Sequence, residues 1–205
     1  MRFLSVLLAI TCLTLSLPAR AALTITFWSH ELGGEFPHAF FTLSGTIDAN
    51  GVPVDANYGF TAKSVSPALL FGTVPGRLDI ADRRYIESSD AQFSLVLTDA
   101  QYADILQLIS AWDEKTGDAH YNLNRRNCVH FIKEAARRLG LTDLDHPKLM
   151  KRPRSYLDAV EAANAGRIVP IDLRGKEYYR RLEGGTAMPT MSRPDMAQPR
   201  STPPH

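Results

Sequence analysis

The strongest constraint on the fold comes from two alternating segments joined by a tight turn. In residues 36–43 the side chains alternate with a period of two, which is typical of a β-strand and places His38 and Phe40 on one face. Asn50-Gly51 follows, a dipeptide that favours two-residue hairpin turns. Residues 52–60 then read as the returning strand. The sequence therefore predicts an antiparallel hairpin, and with it a β-sheet.

Two amphipathic helices set the fold class. Thr98 and Gln101 have the spacing of a capping box, and apolar residues recur at helical spacing from there to Trp112. The second helix is predicted over residues 128–139, with Asn127 as its N-cap. Further elements are predicted as strands at residues 23–27, 93–97 and 168–173 and as a short helix between 155 and 166. We therefore expect an α+β domain.

The N-terminus has the parts of a signal peptide. Arg2 supplies a positive charge, and residues 3–17 form an apolar run. Pro18-Ala19-Arg20-Ala21 then places small residues ahead of a predicted cleavage site after Ala21. The apolar run is too short to cross a bilayer comfortably. We predict export to the periplasm or out of the cell, removal of residues 1–21, and no transmembrane segment in the mature chain.

The rest of the chain divides into a domain and a tail. Residues 22–183 carry all the predicted helices and strands, whereas residues 184–205 hold five prolines and almost no large apolar groups. Such a composition is typical of a disordered segment. The chain has 23 basic and 22 acidic side chains. This balance lacks the basic excess of nucleic-acid-binding proteins and argues against that class.

Cys128 is the candidate nucleophile. The other cysteine, Cys12, lies in the predicted signal peptide, so Cys128 has no disulfide partner in the mature chain. It lies in the first turn of the second helix, where backbone N–H groups stabilise a thiolate and donate to an oxyanion. The alternatives are a buried structural thiol and a zinc site with His120 and His130, which lacks recognisable ligand spacing. We expect no metal and no other cofactor.

A thiol nucleophile needs a base within hydrogen-bond reach, and the chain has six histidines. His130 lies about 200° around the helix from Cys128, among charged residues, and is assigned to the solvent face. His30 is placed in a polar loop after the first strand. His38 lies in a strand that can face the thiol once the sheet packs on the helix. His38 is the predicted base, and the alternative is a core histidine bonded to a carbonyl.

Two motifs, in this order, resemble a known enzyme group. His38-Ala39-Phe40 on a strand precedes Asn127-Cys128-Val129-His130-Phe131 at the start of a helix. The order is similar to that of permuted papain-like thiol hydrolases, the branch that includes bacterial NlpC-like periplasmic domains and the lecithin:retinol acyltransferase group. The similarity spans roughly residues 24–139, including the strand and helix between 93 and 112.

The resemblance implies an antiparallel sheet packed on the cysteine-bearing helix. It also implies that a third polar residue, on the strand after the histidine, orients the Cys128–His38 pair. That strand offers Asp55 and Asn57, which share a face. Two further residues are candidates for substrate contacts, Tyr121 and Asn127, with packing and helix capping as their respective alternatives.

Two classes of function fit these expectations. The first is an exported cysteine hydrolase, an amidase or peptidase, in which His38 takes the proton of Cys128 and the thiolate attacks a carbonyl. The compartment and the resemblance make peptidoglycan peptides the first expected substrate, with lipid acyl groups or an isopeptide second. The other class is a non-catalytic envelope binding or assembly module on the same fold.

Overall fold

The computed structural model describes residues 22–31 and 36–184 of the chain. The predicted signal peptide, residues 1–21, and residues 185–205 of the predicted tail lie outside this part. Within it, seven strands form one sheet in which all neighbouring strands are antiparallel. The strands are β1 (Thr24–His30), β2 (His38–Thr46), β3 (Pro53–Ala62), β4 (Thr73–Asp79), β5 (Asp90–Val96), β6 (His120–Asn122) and β7 (Val169–Arg174).

The predicted hairpin is confirmed and lies in the middle of the sheet. The strand order is β6-β4-β3-β2-β1-β5-β7, and β2 pairs with β3 so that Phe40 opposes Gly59. Gly51 adopts a φ of 70°, a left-handed conformation that glycine tolerates. The Asn50 side chain accepts a hydrogen bond from the Val52 amide across the turn at 3.0 Å. The turn thus sets the register that decides which residues of β3 can approach those of β2.

Six α-helices and one 3-10 turn complete the described part of the chain. They are α1 (Ala68–Phe71), α2 (Arg83–Glu87), α3 (Asp99–Trp112), α4 (Cys128–Arg138), α5 (Pro153–Ala163) and α6 (Gly175–Glu183), with the 3-10 turn at Pro147–Leu149. The predicted capping box of Thr98 and Gln101 begins α3. Asn127 caps α4 as predicted.

The sheet has two faces with different coverings. Helices α4 and α5 pack on the central strands, and this α4 face forms the larger core, where the Phe131 and Phe41 rings stack at 5.4 Å. On the other side, which we call the α6 face, Trp28 and Phe40 stack at 5.9 Å, and Tyr178 of α6 meets the Trp28 ring edge-on. The domain is therefore α+β, with an antiparallel sheet between two helical layers of unequal size.

Several elements differ from the sequence expectation. Strand β1 extends to His30, which pairs with His38 of β2 and so lies in the sheet instead of the predicted loop. The Gly- and Pro-rich stretch 61–76 contains α1 and the first part of β4. In β4 the residues that point to the core are Val74 and a glycine, so the alternation of apolar and polar side chains is too weak to predict a strand. Helix α5 begins at Pro153, since proline suits the first position of a helix.

Candidate active site

The start of α4 is held by Asn127. Its side-chain oxygen accepts hydrogen bonds from the amides of Val129 at 2.9 Å and His130 at 3.1 Å. Its side-chain nitrogen donates to the carbonyl oxygens of Leu123 at 2.9 Å and Met150 at 2.7 Å. The side chain is buried, and both its oxygen and its nitrogen form hydrogen bonds with other groups of the protein. Asn127 therefore acts as a helix cap that ties α4 to two loops.

The Cys128 thiol is buried at the first position of α4, on the α4 face. The backbone amides of Ala39, Val129 and Cys128 itself lie near the sulfur and favour its thiolate form. Burial outweighs them and raises the pKa of the Cys128 thiol to about 11. The thiol is therefore protonated at neutral pH in this arrangement.

An apolar pocket of about 250 Å³ opens onto the thiol. Phe36 and Pro37, which directly precede β2, form part of its wall, and Leu69 of α1 and Tyr121 of β6 also line it. Phe36 is 57% exposed, so it lies at the mouth of the pocket. We call this cavity the thiol pocket. Cys128 and Val129 also line it, so the pocket reaches the start of α4.

The His38 ring occupies a different environment. It stacks on Phe40 with ring centroids 6.2 Å apart and planes at 15°. Its Nε2 atom is buried without a hydrogen-bond partner, and it lies so close to Gly59 that a Cβ there would overlap it. Burial lowers the pKa of the imidazole to about 4, with the Asp79 carboxylate opposing the shift and His30 adding to it. The ring is therefore neutral at neutral pH.

Strand alternation separates the two predicted partners. Ala39 faces α4 and belongs to the same core cluster as Cys128, whereas Phe40 and the His38 ring stacked on it lie toward the α6 face. Among the described residues, no hydrogen bond joins the sulfur to the ring. The nearest link is through the backbone, because the amide of Ala39, the residue after His38, is close enough to the sulfur to favour its thiolate form.

The register does not bring the two predicted orienting residues to the ring. Asp55 opposes Ser44, six residues along β2 from His38, a separation of about 20 Å. Asn57 opposes Thr42, about 13 Å along the strand from His38. The Asn57 side chain instead bonds to both backbone groups of Ala81, at 2.7 and 3.0 Å. Both share the α6 face with His38, but neither contacts it.

The remaining predicted residues have clear positions. Tyr121 is buried and lines the thiol pocket. Burial raises the pKa of its hydroxyl, and nearby Cys128 adds to the shift. His120 is exposed and pairs with Asp118 at 2.6 Å. His130 is half-buried, with Nδ1 2.9 Å from the Asn127 side-chain oxygen, and not on the open solvent face. In the described residues no group of three or more His, Cys, Asp or Glu is arranged to hold a metal ion.

Sequence reasoning missed the groups that surround the His38 ring. Gly59 leaves room for the ring, while His30 and Asp79 shift the pKa of the imidazole in opposite directions. The hairpin was the available signal, because any short turn at Asn50-Gly51 places Asp55 far from His38. The observed loop of residues 48–51 then pairs Gly59 with Phe40, beside the ring. Asp79 gave no such signal, because β4 itself was not predicted.

The chain matches no protein-family model, no curated protein and no solved structure. Among the described residues, the helices are all too short or too polar to cross a membrane. The candidate active site is therefore defined by its own geometry: a buried thiol at a helix start, an apolar pocket above it, and a neutral imidazole on the adjoining strand.

Proposed function

We propose that the chain is an exported cysteine hydrolase with a permuted papain-like fold and Cys128 as its nucleophile. One observation carries the proposal. Cys128 lies at the first turn of α4, lines a pocket, and has the backbone amide of Ala39, on the strand that bears His38, near its sulfur. A thiol buried only for packing needs neither a pocket beside it nor amides that favour its thiolate form.

The proposed reaction begins with a rearrangement at the start of β2. The His38 ring lies on the α6 face, so it must leave Gly59 and the end of the strand must shift to bring the imidazole to the sulfur; His38 is the first residue of β2, so only the end of the strand has to move. The imidazole then takes the thiol proton as the sulfur attacks the carbonyl carbon of the substrate. The backbone amide of Cys128, which the Asn127 side chain does not engage, donates to the oxyanion that forms.

The bond to the leaving group breaks as the oxyanion collapses to a thioester. His38 returns the proton to the departing amine or alcohol, and water then hydrolyses the thioester and regenerates the thiol. In the resting arrangement both groups are neutral, since burial raises the pKa of the thiol and lowers that of the imidazole. The proton transfer is therefore coupled to attack, in contrast to a preformed thiolate–imidazolium pair.

The thiol pocket bears on the choice of substrate. An amide of a peptidoglycan peptide is the first candidate, in keeping with the predicted export. A second candidate, an apolar acyl ester, is favoured by the wall of the pocket, which includes Phe36, Val65, Leu69 and Leu123. Side chains of this kind receive a hydrocarbon chain more readily than the charged groups of a stem peptide.

Trapping the acyl-enzyme tests the nucleophile. The protein is incubated with muropeptides, p-nitrophenyl butyrate and p-nitrophenyl octanoate, and its intact mass is followed with time. We expect the mass of an acyl group on the wild-type chain and none on Cys128→Ala. Acylation by muropeptides alone would favour the amide substrate, and faster acylation by octanoate than by butyrate would favour the apolar acyl ester.

Variants of two histidines test the base. His38→Ala should slow acylation by about 100-fold, the typical contribution of a general base, while His120→Ala, which alters an exposed ring, should leave the rate unchanged. Equal rates in wild type and His38→Ala would remove His38 from the mechanism. A Cys128 that stays unmodified until the protein is denatured would instead support the non-catalytic binding module.

A further inference from the structure

A second, larger cavity lies beside the start of α4. It has a volume of about 820 Å³ and is formed by α4 and the segment around the 3-10 turn. The cationic side chains in its wall are Lys133, Lys148, Lys151 and Arg152. We call this cavity the basic cleft. Neither Cys128 nor His38 lines it, and Lys151 is the residue that its wall shares with the thiol pocket.

The charges of the basic cleft are not balanced within the described part of the chain. Asp145 is the only carboxylate in its wall, and it pairs with Lys133. Lys148, Lys151 and Arg152 make no ion pair with any described residue. Four cations thus share one carboxylate, whereas protein surfaces ordinarily intersperse both signs of charge. The two histidines of the wall, His130 and His146, add further nitrogen atoms.

The start of α5 adds a second feature favourable to anions. The helix has 11 residues and begins at Pro153, immediately after Arg152, with no side-chain cap and no acidic residue in its first turn. Free amides and the helix dipole make such a terminus attractive to oxyanions. Thr98 and Asn127 cap α3 and α4, and α6, which also lacks a side-chain cap, carries Glu177 in its first turn.

We propose that the basic cleft binds a phosphate-type oxyanion. Lysine and arginine side chains beside an uncapped helix terminus are the groups that proteins commonly use for phosphate. Lys151 lines both the basic cleft and the thiol pocket, so the bound anion lies next to the entrance to Cys128. The site binds its ligand whether or not Cys128 is a nucleophile.

Calorimetric titration with inorganic phosphate tests this site. The full chain carrying Cys128→Ala is used, so that failure of the hydrolase proposal does not affect the result, and circular dichroism confirms its fold. Ionic strength is held constant with chloride. We expect saturable binding of one phosphate, and loss of two lysines in Lys148→Gln/Lys151→Gln should weaken it about tenfold or more.

A matched pair of lysines controls for net charge. Lys115→Gln/Lys176→Gln removes the same charge from exposed positions outside the cleft and should change the dissociation constant less than twofold. Amide and ring signals of His130 and His146 should shift on addition of phosphate in an NMR titration. Absence of saturable binding, or an equal loss of affinity in the two double variants, would overturn the proposal.

Two further probes distinguish the source of the phosphate group. Glycerol 1-phosphate represents a soluble ester, and vesicles of phosphatidylglycerol in phosphatidylcholine represent a lipid headgroup, with pure phosphatidylcholine as control. Competition of glycerol 1-phosphate with inorganic phosphate supports the site and a soluble ligand. Displacement of the protein from anionic vesicles by phosphate supports the site and a lipid ligand. Vesicle binding that phosphate does not displace, together with no phosphate binding, would contradict the proposed cleft.

Discussion

The two faces of the central sheet give their reactive side chains different surroundings. On the α4 face, Cys128 lies among apolar side chains, with backbone amides near its sulfur. On the α6 face, the His38 ring lies near other titratable groups, with its Nε2 atom unpartnered. The two groups approach each other through a single peptide unit of β2, yet strand alternation sends them to opposite sides. Proximity along the backbone is therefore not sufficient to pair a nucleophile with its base.

The core of the α4 face should be the most sensitive to truncation. Phe131→Ala removes a fully buried ring that stacks on Phe41, and we expect it to lower the free energy of unfolding by about 4 kcal/mol. Urea denaturation measures this value. Leu106→Ala, at a 43% exposed position of α3, serves as control and should cost less than about 1 kcal/mol. Similar losses in the two variants would contradict the packing of α4 on the sheet.

On the α6 face, the burial of His38 should make the free energy of unfolding depend on pH. The pKa of His38 falls from 6.5 to about 4 on folding, so the unfolded chain binds a proton first as pH decreases. The stability that His38 contributes is complete above pH 6.5 and is lost as pH falls from 6.5 to 4. The total loss is about 3 kcal/mol. Urea denaturation at pH 7 and pH 4 measures it.

His38→Asn is the matched variant for this pH dependence. Its side chain does not titrate, so its unfolding free energy should fall by about 3 kcal/mol less between pH 7 and pH 4. Other groups titrate in the same window, among them Glu161, whose carboxyl pKa is raised to about 7 by burial. Subtracting the variant from the wild type removes their contribution. An identical pH dependence in the two proteins would mean that the ring is solvated.

The contrast between the faces also explains what the sequence could predict. The helix stripe of Cys128, Phe131 and Ile132 identifies a buried side without ambiguity, because a helix face is set by local spacing alone. The alternation also separates His38 from Ala39, but it does not say which of the two faces meets α4: the helix packs on the Ala39 face, contrary to the expectation that His38 faces the thiol. Local spacing does not tell which residues of neighbouring strands lie opposite each other. Asp55 and Asn57 lie on the same face of the sheet as His38, but the strand register places them far from its ring.

Asn127 gives a sharper comparison within the α4 face. Asn127→Ala removes the cap of α4 and the bonds to two loops, which should lower the free energy of unfolding by about 2 kcal/mol and expose Cys128 to alkylation. Asn164→Ala is the control, because that buried side chain makes a similar set of backbone bonds remote from the thiol. It should destabilise the domain by a similar amount.

The two asparagine variants are distinguished by the rate of Cys128 alkylation under native conditions. We expect Asn127→Ala to increase this rate well beyond Asn164→Ala, since only the former loosens the amides around the sulfur. Equal alkylation rates would show that the thiol becomes accessible through global unfolding and not through the start of α4.

The smallest expected effect tests the register itself. Asp55 is exposed and lies about 20 Å along the sheet from His38, so Asp55→Asn should change the free energy of unfolding by less than about 0.5 kcal/mol. It should also leave unchanged the pKa of His38, measured by NMR, and the acylation rate of Cys128. Asp79→Asn is the comparison: its carboxylate favours the protonated imidazole, so its loss should lower the pKa of His38 further. A response to Asp55→Asn but not to Asp79→Asn would require a different pairing of β2 and β3, one that returns Asp55 to the role of orienting residue.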